Sequence, residues 1–173
     1  MDIQIGASTW RCIAGYGHAP EHMALFCEKT GVLISGDMVL PRISTNVSVF
    51  EMEPTANSLV LFLDSLGRYR SLPSDTLVLP SHGKPFKGLH TRLDQLQSHH
   101  EDRLAEVLEA CSQSACSSAD IVPVMFKREL DAHQFPFALG ESLSHLHYLW
   151  FSGQLDRKLC ENGVYRFGPR EEF

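Results

Sequence analysis

The sequence has no apolar run long enough to cross a membrane. A membrane-spanning helix needs about 20 consecutive apolar residues, and charged or polar residues interrupt every apolar stretch of this 173-residue chain much sooner. The first residues, Met1 to Ile5, also lack the basic segment and apolar core of a secretory signal. We therefore expect a cytoplasmic protein without a membrane partner.

Paired cysteines and concentrated positive charge are missing as well. The five cysteines are odd in number and form no Cys-x-x-Cys pair, so we expect reduced thiols rather than a disulfide framework or a thiolate zinc site. The net charge is −6, and the excess of acids lies mainly in residues 99–173. Nucleic-acid-binding proteins concentrate basic residues where they meet phosphates, so nucleic acid is not an expected partner.

The first 98 residues show a pattern of strands, a helix and a further strand. An apolar stripe at three- and four-residue steps, from Leu59 to Tyr69, predicts an amphipathic helix. Strands are predicted before and after it, at Ile3–Gly6, Trp10–Ala14, His22–Cys27, Val32–Ser35 and Thr76–Pro80. Strands followed by helix and strand indicate a layered α/β architecture.

The remaining residues predict a second, mostly helical domain. Helices are expected at Leu89–Cys111, from Ser118 to about Leu130 and at Ala138–Ser152, with a turn at 131–136. Pro123 should kink the second helix or delay its start. Glu161-Asn-Gly163 between two alternating runs predicts a hairpin. We predict domains at 1–98 and 99–173, and the order helix, helix, helix, hairpin is that of a winged-helix module.

Three residues follow or flank strand-like runs in positions where a metal site would draw its ligands. They are His18, Asp37 and His82. Imidazole and carboxylate groups are good ligands for zinc and other transition metals. On spacing alone, the alternative that they are ordinary loop residues with local hydrogen bonds is favoured.

The residues around them resemble the metallo-β-lactamase superfamily. The resemblance lies in Gly17-His18-Ala-Pro-Glu-His22, Val32-Leu-Ile-Ser-Gly-Asp37 and Leu79-Pro-Ser-His82-Gly83. It implies that His18 and His82 are metal ligands, that Asp37 bridges two metals, and that the complete enzyme holds two ions, expected to be zinc. The segments 85–92 and 99–104 are similar to the branch of this superfamily with a C-terminal winged-helix tail.

The resemblance implies a fold class and a function. The fold would be α/β, the second half of a metallo-β-lactamase-like αββα sandwich followed by a mostly helical winged-helix-like tail. The complete enzyme would hydrolyse an ester, thioester, lactam or phosphodiester bond of a small-molecule substrate. The loop 38–52 and the tail would help to shape its pocket.

One central motif of that family, His-x-His-x-Asp-His, does not occur in the sequence. The close histidine pairs, His99-His100 and His145-x-His147, are not followed by Asp-His. We therefore expect the C-terminal part of a longer hydrolase, with an incomplete ligand set and little or no activity in this chain alone.

The incomplete sandwich has consequences for partners. Half a sandwich would expose a sheet edge and an apolar face, so we expect self-association, for example as a dimer. The alternative function is a non-catalytic interaction module that acts through the tail or the open sheet. DNA binding by the tail is not favoured, because the predicted helix 138–152 contains no Arg or Lys.

Overall fold

The chain folds as two compact units in the computed structural model, which describes residues 1–169. The first unit comprises residues 1–45 and 60–98, and the second comprises residues 46–59 and the chain from residue 99 onward. None of the described helices combines the length and apolar character that a membrane crossing needs.

A five-stranded mixed sheet forms the first unit. Its strands are β1 (Asp2–Ile5), β2 (Ser8–Gly15), β3 (His22–Cys27), β4 (Val32–Gly36) and β5 (Leu77–Pro80), in that spatial order. The first four strands pair antiparallel and β4 pairs parallel with β5. Gly6 and Gly31 hold positive φ values of 59° and 64° at two tight turns, a conformation that glycine adopts without strain. The α/β architecture predicted from the sequence is confirmed.

The parallel pair β4 and β5 requires a crossover, and a helix provides it. Helix α1 (Ser58–Gly67) is followed by a 3-10 turn at Arg68–Ser71. Phe62, Leu66 and Tyr69 of the predicted apolar stripe are all buried. The Ser65 hydroxyl accepts a hydrogen bond from Tyr16 N–H at 2.9 Å, which ties the helix to the end of β2.

The two faces of the sheet differ in burial. Phe26, Leu33 and Val78 point to one face and are at most 4% exposed. Met23 and Ile34 point to the other face and are 43% and 39% exposed. Alternate residues of a strand point to opposite faces, so the sheet has one packed face and one apolar face that is partly open.

A 25-residue helix, α2 (Leu89–Gln113), follows the sheet. At 1.5 Å per residue it is about 37 Å long. In its first turns Leu89, Leu93 and Leu96 are buried, as the sequence predicts. Arg70 bonds Asp94 at 2.7 Å and Gln97 at 3.1 Å on the exposed side of these turns.

Helix α3 (Ser118–Met125) starts where predicted but ends five residues early. Ser117 and Asp120 form a reciprocal capping box at its start. Pro123 therefore lies inside the helix and does not delay its start. The predicted end near Leu130 is wrong, because Phe126 is already extended, with φ −116° and ψ 97°.

Helix α4 (Gln134–Phe151) begins four residues before the predicted position. The Asp131 carboxylate accepts hydrogen bonds from His133 N–H at 2.9 Å and Gln134 N–H at 2.8 Å, so it satisfies free donors at the helix start. Pro136 is tolerated there, because the first turn has no intrahelical partner for its missing N–H. Of the predicted turn at 131–136, Ala132 and His133 do form a turn, whereas residues 134–136 already belong to α4.

A hairpin of β6 (Asp156–Leu159) and β7 (Tyr165–Gly168) completes the described chain. The Asn162 side chain accepts a hydrogen bond from Val164 N–H at 3.1 Å, and Gly163 has φ 78°. The hairpin predicted from Asn-Gly is confirmed.

Residues 46–59, which include the first two residues of α1, belong to the second unit although the rest of α1 belongs to the first. Val49 N–H donates to Gly140 O at 3.1 Å, and His147 Nδ1 bonds Ala56 O at 2.8 Å. A Cβ atom at Gly140 would lie 2.8 Å from Ser48 Cβ, so this contact requires glycine. The sequence pattern does not indicate this grouping, and the domain limits 1–98 and 99–173 stay a prediction.

Candidate metal centre

Asp37 stands directly after β4, at a sharp change of backbone direction. The register of β4 against β5 shifts between Ile34 and Gly36, and Gly36 has φ 53°. A Cβ atom at Gly36 would lie 2.2 Å from His22 Nε2, so a side chain does not fit beside the imidazole. Glycine therefore allows β4 to end tightly against His22 and to turn Asp37 out of the strand.

The structure brings the three predicted ligands together. His18 Nε2 lies 3.5 Å from Asp37 Oδ2, and His82 Nε2 lies 3.5 Å from Asp37 Oδ1. Each carboxylate oxygen therefore faces a different imidazole. His18 comes from the loop between β2 and β3, and His82 from the loop after β5, so the sheet positions all three residues at one end.

Neighbouring groups hold Asp37 in this orientation. Ser81 donates a short hydrogen bond from its hydroxyl to Asp37 Oδ1, and its N–H donates to Gly36 O at 3.1 Å. The Thr45 hydroxyl donates to the Asp37 backbone carbonyl. Sequence reasoning did not single out Ser81, although its place immediately before His82 was a usable signal.

His22 contacts the backbone of Asp37. Asp37 N–H donates to His22 Nε2 at 3.4 Å, so His22 acts as a hydrogen-bond acceptor for the Asp37 backbone. Partial burial, followed by the charge of His18, lowers the pKa of His22 despite the opposite effect of Asp37. The structure thus agrees with a packing and hydrogen-bonding role for His22.

The carboxyl group of Asp37 is kept ionised. Partial burial alone would raise its pKa, but the hydrogen bond from Ser81 and the nearby charges of His18, His82 and His22 together lower it below the ordinary value. A deprotonated carboxylate is the form that binds a metal ion.

The distances between neighbouring donor atoms fit a bound metal ion, but the number of donor side chains is too small. Zinc bound tetrahedrally with bonds of about 2.1 Å places neighbouring donor atoms about 3.4 Å apart. The two N–O distances of 3.5 Å agree with that spacing. Within residues 1–169, however, no group of three or more His, Cys, Asp or Glu side chains is arranged to hold a metal ion.

The other histidines serve elsewhere. His90 Nε2 bonds Leu72 O at 2.9 Å near the start of α2. His100, His145 and His147 are at most 1% exposed and belong to the second unit. These three helix histidines are buried, whereas His99, beside His100 in α2, is exposed.

Two family models match the chain over most of its length. The model of the metallo-beta-lactamase superfamily matches residues 2–82, and the model of the metallo-beta-lactamase-like C-terminal domain matches residues 104–170. The chain belongs to the metallo-β-lactamase superfamily. The order of the two matches follows the sheet first and the helical part second.

Solved structures and a curated relative agree with this assignment. A β-lactamase domain protein from Burkholderia ambifaria is 60% identical and has a TM-score of 0.95 over 98% of this chain and 50% of its own. A metallo-β-lactamase family protein from Thermus thermophilus is 28% identical, with a TM-score of 0.85 over 98% of this chain and 52% of its own. A probable metallo-hydrolase from Bacillus subtilis is 25% identical over 83% of this chain and 46% of its own length.

The chain therefore spans about half the length of these metallo-β-lactamase relatives. The α/β metallo-β-lactamase-like fold is confirmed, and the superfamily implies a hydrolase-like protein with metal ions. The ligand roles of His18, Asp37 and His82 stay predictions.

Proposed function

We propose that this chain contributes part of a dinuclear metal centre to a hydrolase. The observation that carries the proposal is the placement of His18 and His82 against the two different oxygens of Asp37, each at 3.5 Å. A carboxylate shared in this way can bridge two ions. His18 would bind one ion and His82 the other, and we propose zinc for both because imidazole and carboxylate are among its usual ligands.

The residues of the chain would fix the ligands rather than react. The hydrogen bonds from Ser81 and Thr45 orient Asp37, and His22 accepts the Asp37 N–H. Such supporting contacts set ligand geometry and metal affinity. Bound zinc supplies Lewis-acid activation of water and of a substrate oxygen near neutral pH.

This chain supplies two protein ligands per ion, Asp37 being shared, whereas a catalytic zinc usually has three. We therefore propose that the ligand set is completed outside the described residues, and that the 173-residue chain alone hydrolyses substrate weakly or not at all. The bond class in the complete enzyme would be an ester, thioester, lactam or phosphodiester.

The helical part is proposed to be a winged-helix-like tail with a structural role. The order α2, α3, α4, β6 and β7 supports this proposal. Helix α4 contains no Arg or Lys and has the acid Glu141, so it offers little to a nucleic acid. The proposed role of the tail is packing and assembly.

Zinc titration of the metal-free chain tests the proposal. We expect weak zinc binding, measured by calorimetry, that falls about tenfold or more in Asp37→Asn and in His82→Ala, because each change removes a donor. His133→Ala is the matched control, since His133 is exposed and lies in the second unit. Circular dichroism confirms that each variant folds.

Two results would contradict the proposal. Zinc affinity that is equal in the wild type and Asp37→Asn would remove Asp37 from the centre. Metal-dependent hydrolysis by the isolated chain at an ordinary rate, about 1 per second or faster, would show that the chain needs no further ligand.

A further inference from the structure

A pocket of about 630 Å³ opens beside His82 in the first unit. Two short segments line it, one after Asp37 and one after β5. Its lining residues are Pro41, Arg42, Ile43, His82, Gly83, Lys84, Pro85 and Phe86. Pro41, Arg42 and Ile43 belong to the loop 38–52, for which the family resemblance predicts a role in shaping the substrate pocket.

Arg92 holds the first wall in place. Its Nε donates to Leu40 O at 2.6 Å and its Nη2 donates to Ile43 O at 2.9 Å. These bonds fix the backbone on both sides of Arg42. Pro41 also packs closely on the second wall, because a Cβ atom at Gly83 would lie 2.7 Å from Pro41 Cγ.

The second wall is fixed by a backbone pair. Val78 N–H donates to Phe86 O at 2.8 Å, and Phe86 N–H donates to Val78 O at 3.0 Å. Val78 is fully buried in β5, so Phe86 is anchored to the sheet. Lys84 lies between His82 and this anchor, and both walls are therefore built before any ligand arrives.

The pocket carries two cations and no anion. Arg42 and Lys84 are exposed, and neither has a hydrogen-bond or ion-pair partner among residues 1–169. The lining contains no Asp or Glu, although the chain as a whole has a net charge of −6. Two unpaired cations in a mostly apolar pocket are the groups that a bound anion would pair with.

We infer that this pocket is a substrate subsite in which Arg42 and Lys84 bind a carboxylate or phosphate group of a small molecule. The inference rests on the proposed function, because His82 joins the pocket to the metal centre. Pro41, Ile43, Pro85 and Phe86 would contact the apolar part of the substrate. Two cations in an apolar pocket can pair with one anionic group of a small molecule. A nucleic-acid backbone carries many phosphates and would need a longer row of basic residues.

Anion binding to the metal-free 173-residue chain tests this inference without any turnover. Inorganic phosphate and hexanoate serve as probes, and binding is followed by amide chemical shifts in nuclear magnetic resonance. We expect saturable binding of at least one probe with shifts centred on residues 41–43 and 82–86. Arg42→Ala and Lys84→Ala should each weaken binding about threefold to tenfold, and the double variant should abolish it.

Lys87→Ala is the matched control, because Lys87 is an exposed cation of the same segment outside the pocket lining. It should leave binding unchanged. Higher ionic strength should weaken binding in the wild type, since the interaction is between exposed charges. Preference for hexanoate or for phosphate identifies the anionic group as carboxylate or phosphate.

Three outcomes would overturn the inference. They are equal binding by the wild type and the double variant, equal loss in Lys87→Ala, and no binding of either probe. Zinc titration of the same variants separates the two proposals. If the Arg42 and Lys84 variants lose anion binding but keep their zinc affinity, the subsite is supported. If zinc binds equally well without the Asp37 carboxylate, the metal centre is refuted, and the anion-binding result is then judged independently of it.

Discussion

A buried chain of polar groups in the second unit should make folding stability depend on pH. His100 Nδ1 bonds His145 Nε2 at 3.3 Å, and His145 Nδ1 bonds Glu141 O at 2.8 Å. The Glu141 side chain accepts a hydrogen bond from Asn46 at 3.1 Å. Glu141 is 9% exposed, and the two imidazoles are fully buried.

The ionisation of Glu141 is the source of this pH dependence that we propose to test. Burial raises the pKa of Glu141 from 4.5 to about 7, more than the hydrogen bond from Asn46 lowers it. The folded protein therefore binds the proton more tightly than the unfolded chain. The contribution of this group to stability is fully present below pH 4.5 and is lost as the pH rises to about 7.

The size of the effect follows from the shift. One pKa unit is worth about 1.4 kcal/mol, so the ionisation of Glu141 costs on the order of 3 kcal/mol of the free energy of unfolding above pH 7. Glu141→Gln keeps an oxygen for Asn46 and cannot ionise. The stability difference between the variant and the wild type should grow by that amount between pH 4.5 and 7.5.

The two histidines act in the opposite direction and must be separated from Glu141. Burial lowers the pKa of His100 to about 3, with smaller contributions from the charges of His145 and His99. Burial lowers the pKa of His145 to about 4, with smaller contributions from His99 and Arg103. Their stabilisation is present above pH 6.5 and is lost as the pH falls towards 4. Because the Glu141→Gln variant and the wild type both contain these histidines, the difference in their free energies of unfolding isolates the contribution of Glu141.

Urea unfolding at several pH values between 4.5 and 8 measures this difference. A stability difference between Glu141→Gln and the wild type that stays constant over that range would show that Glu141 does not titrate with a raised pKa in the folded protein. Glu161→Gln is the control, because Glu161 is exposed at the hairpin turn and should give a flat difference.

Two further predictions concern the first unit. Gly36→Ala should lower the free energy of unfolding by at least about 1–2 kcal/mol, because a Cβ would meet His22 and an L-residue is strained at φ 53°; urea unfolding checks this, and Gly67→Ala, which meets open space, should be tolerated. The isolated chain should self-associate through the partly open apolar face that carries Met23 and Ile34. Sedimentation velocity at micromolar concentration should show a dimer that Ile34→Lys weakens, and a clean monomer would count against it.

Local patterns predicted most of the fold because the relevant signals are short. Alternation of apolar and polar residues predicted β1 and β2, and Asn162-Gly163 predicted the hairpin. The start of α4 was missed because the Asp131 side chain, rather than an apolar period, determines where that helix begins. The membership of residues 46–59 in the second unit depends on contacts about 90 residues apart, such as Asn46 to Glu141, which no local pattern contains.

The candidate site was predicted through family resemblance, since spacing alone favoured ordinary loop residues. The sequence does not reveal how the side chains of the site are placed relative to one another. The opposing placement of His18 and His82 on Asp37 depends on the pairing of β3, β4 and β5. Ser81 was missed because a serine is common in loops, and its role appears only when its hydroxyl is seen at Asp37.

The metal centre and the proposed anion subsite share one short loop, and this links their geometry. The loop leaves the centre at Asp37, is held by Arg92 at Leu40 and Ile43, and returns when Thr45 bonds the Asp37 carbonyl. Because the loop is fixed at both ends and in the middle, Arg42 cannot move far without disturbing the backbone of Asp37. A substrate anion bound by Arg42 would therefore be held at a set position relative to the metal ligands, which is the condition for orienting a reacting bond.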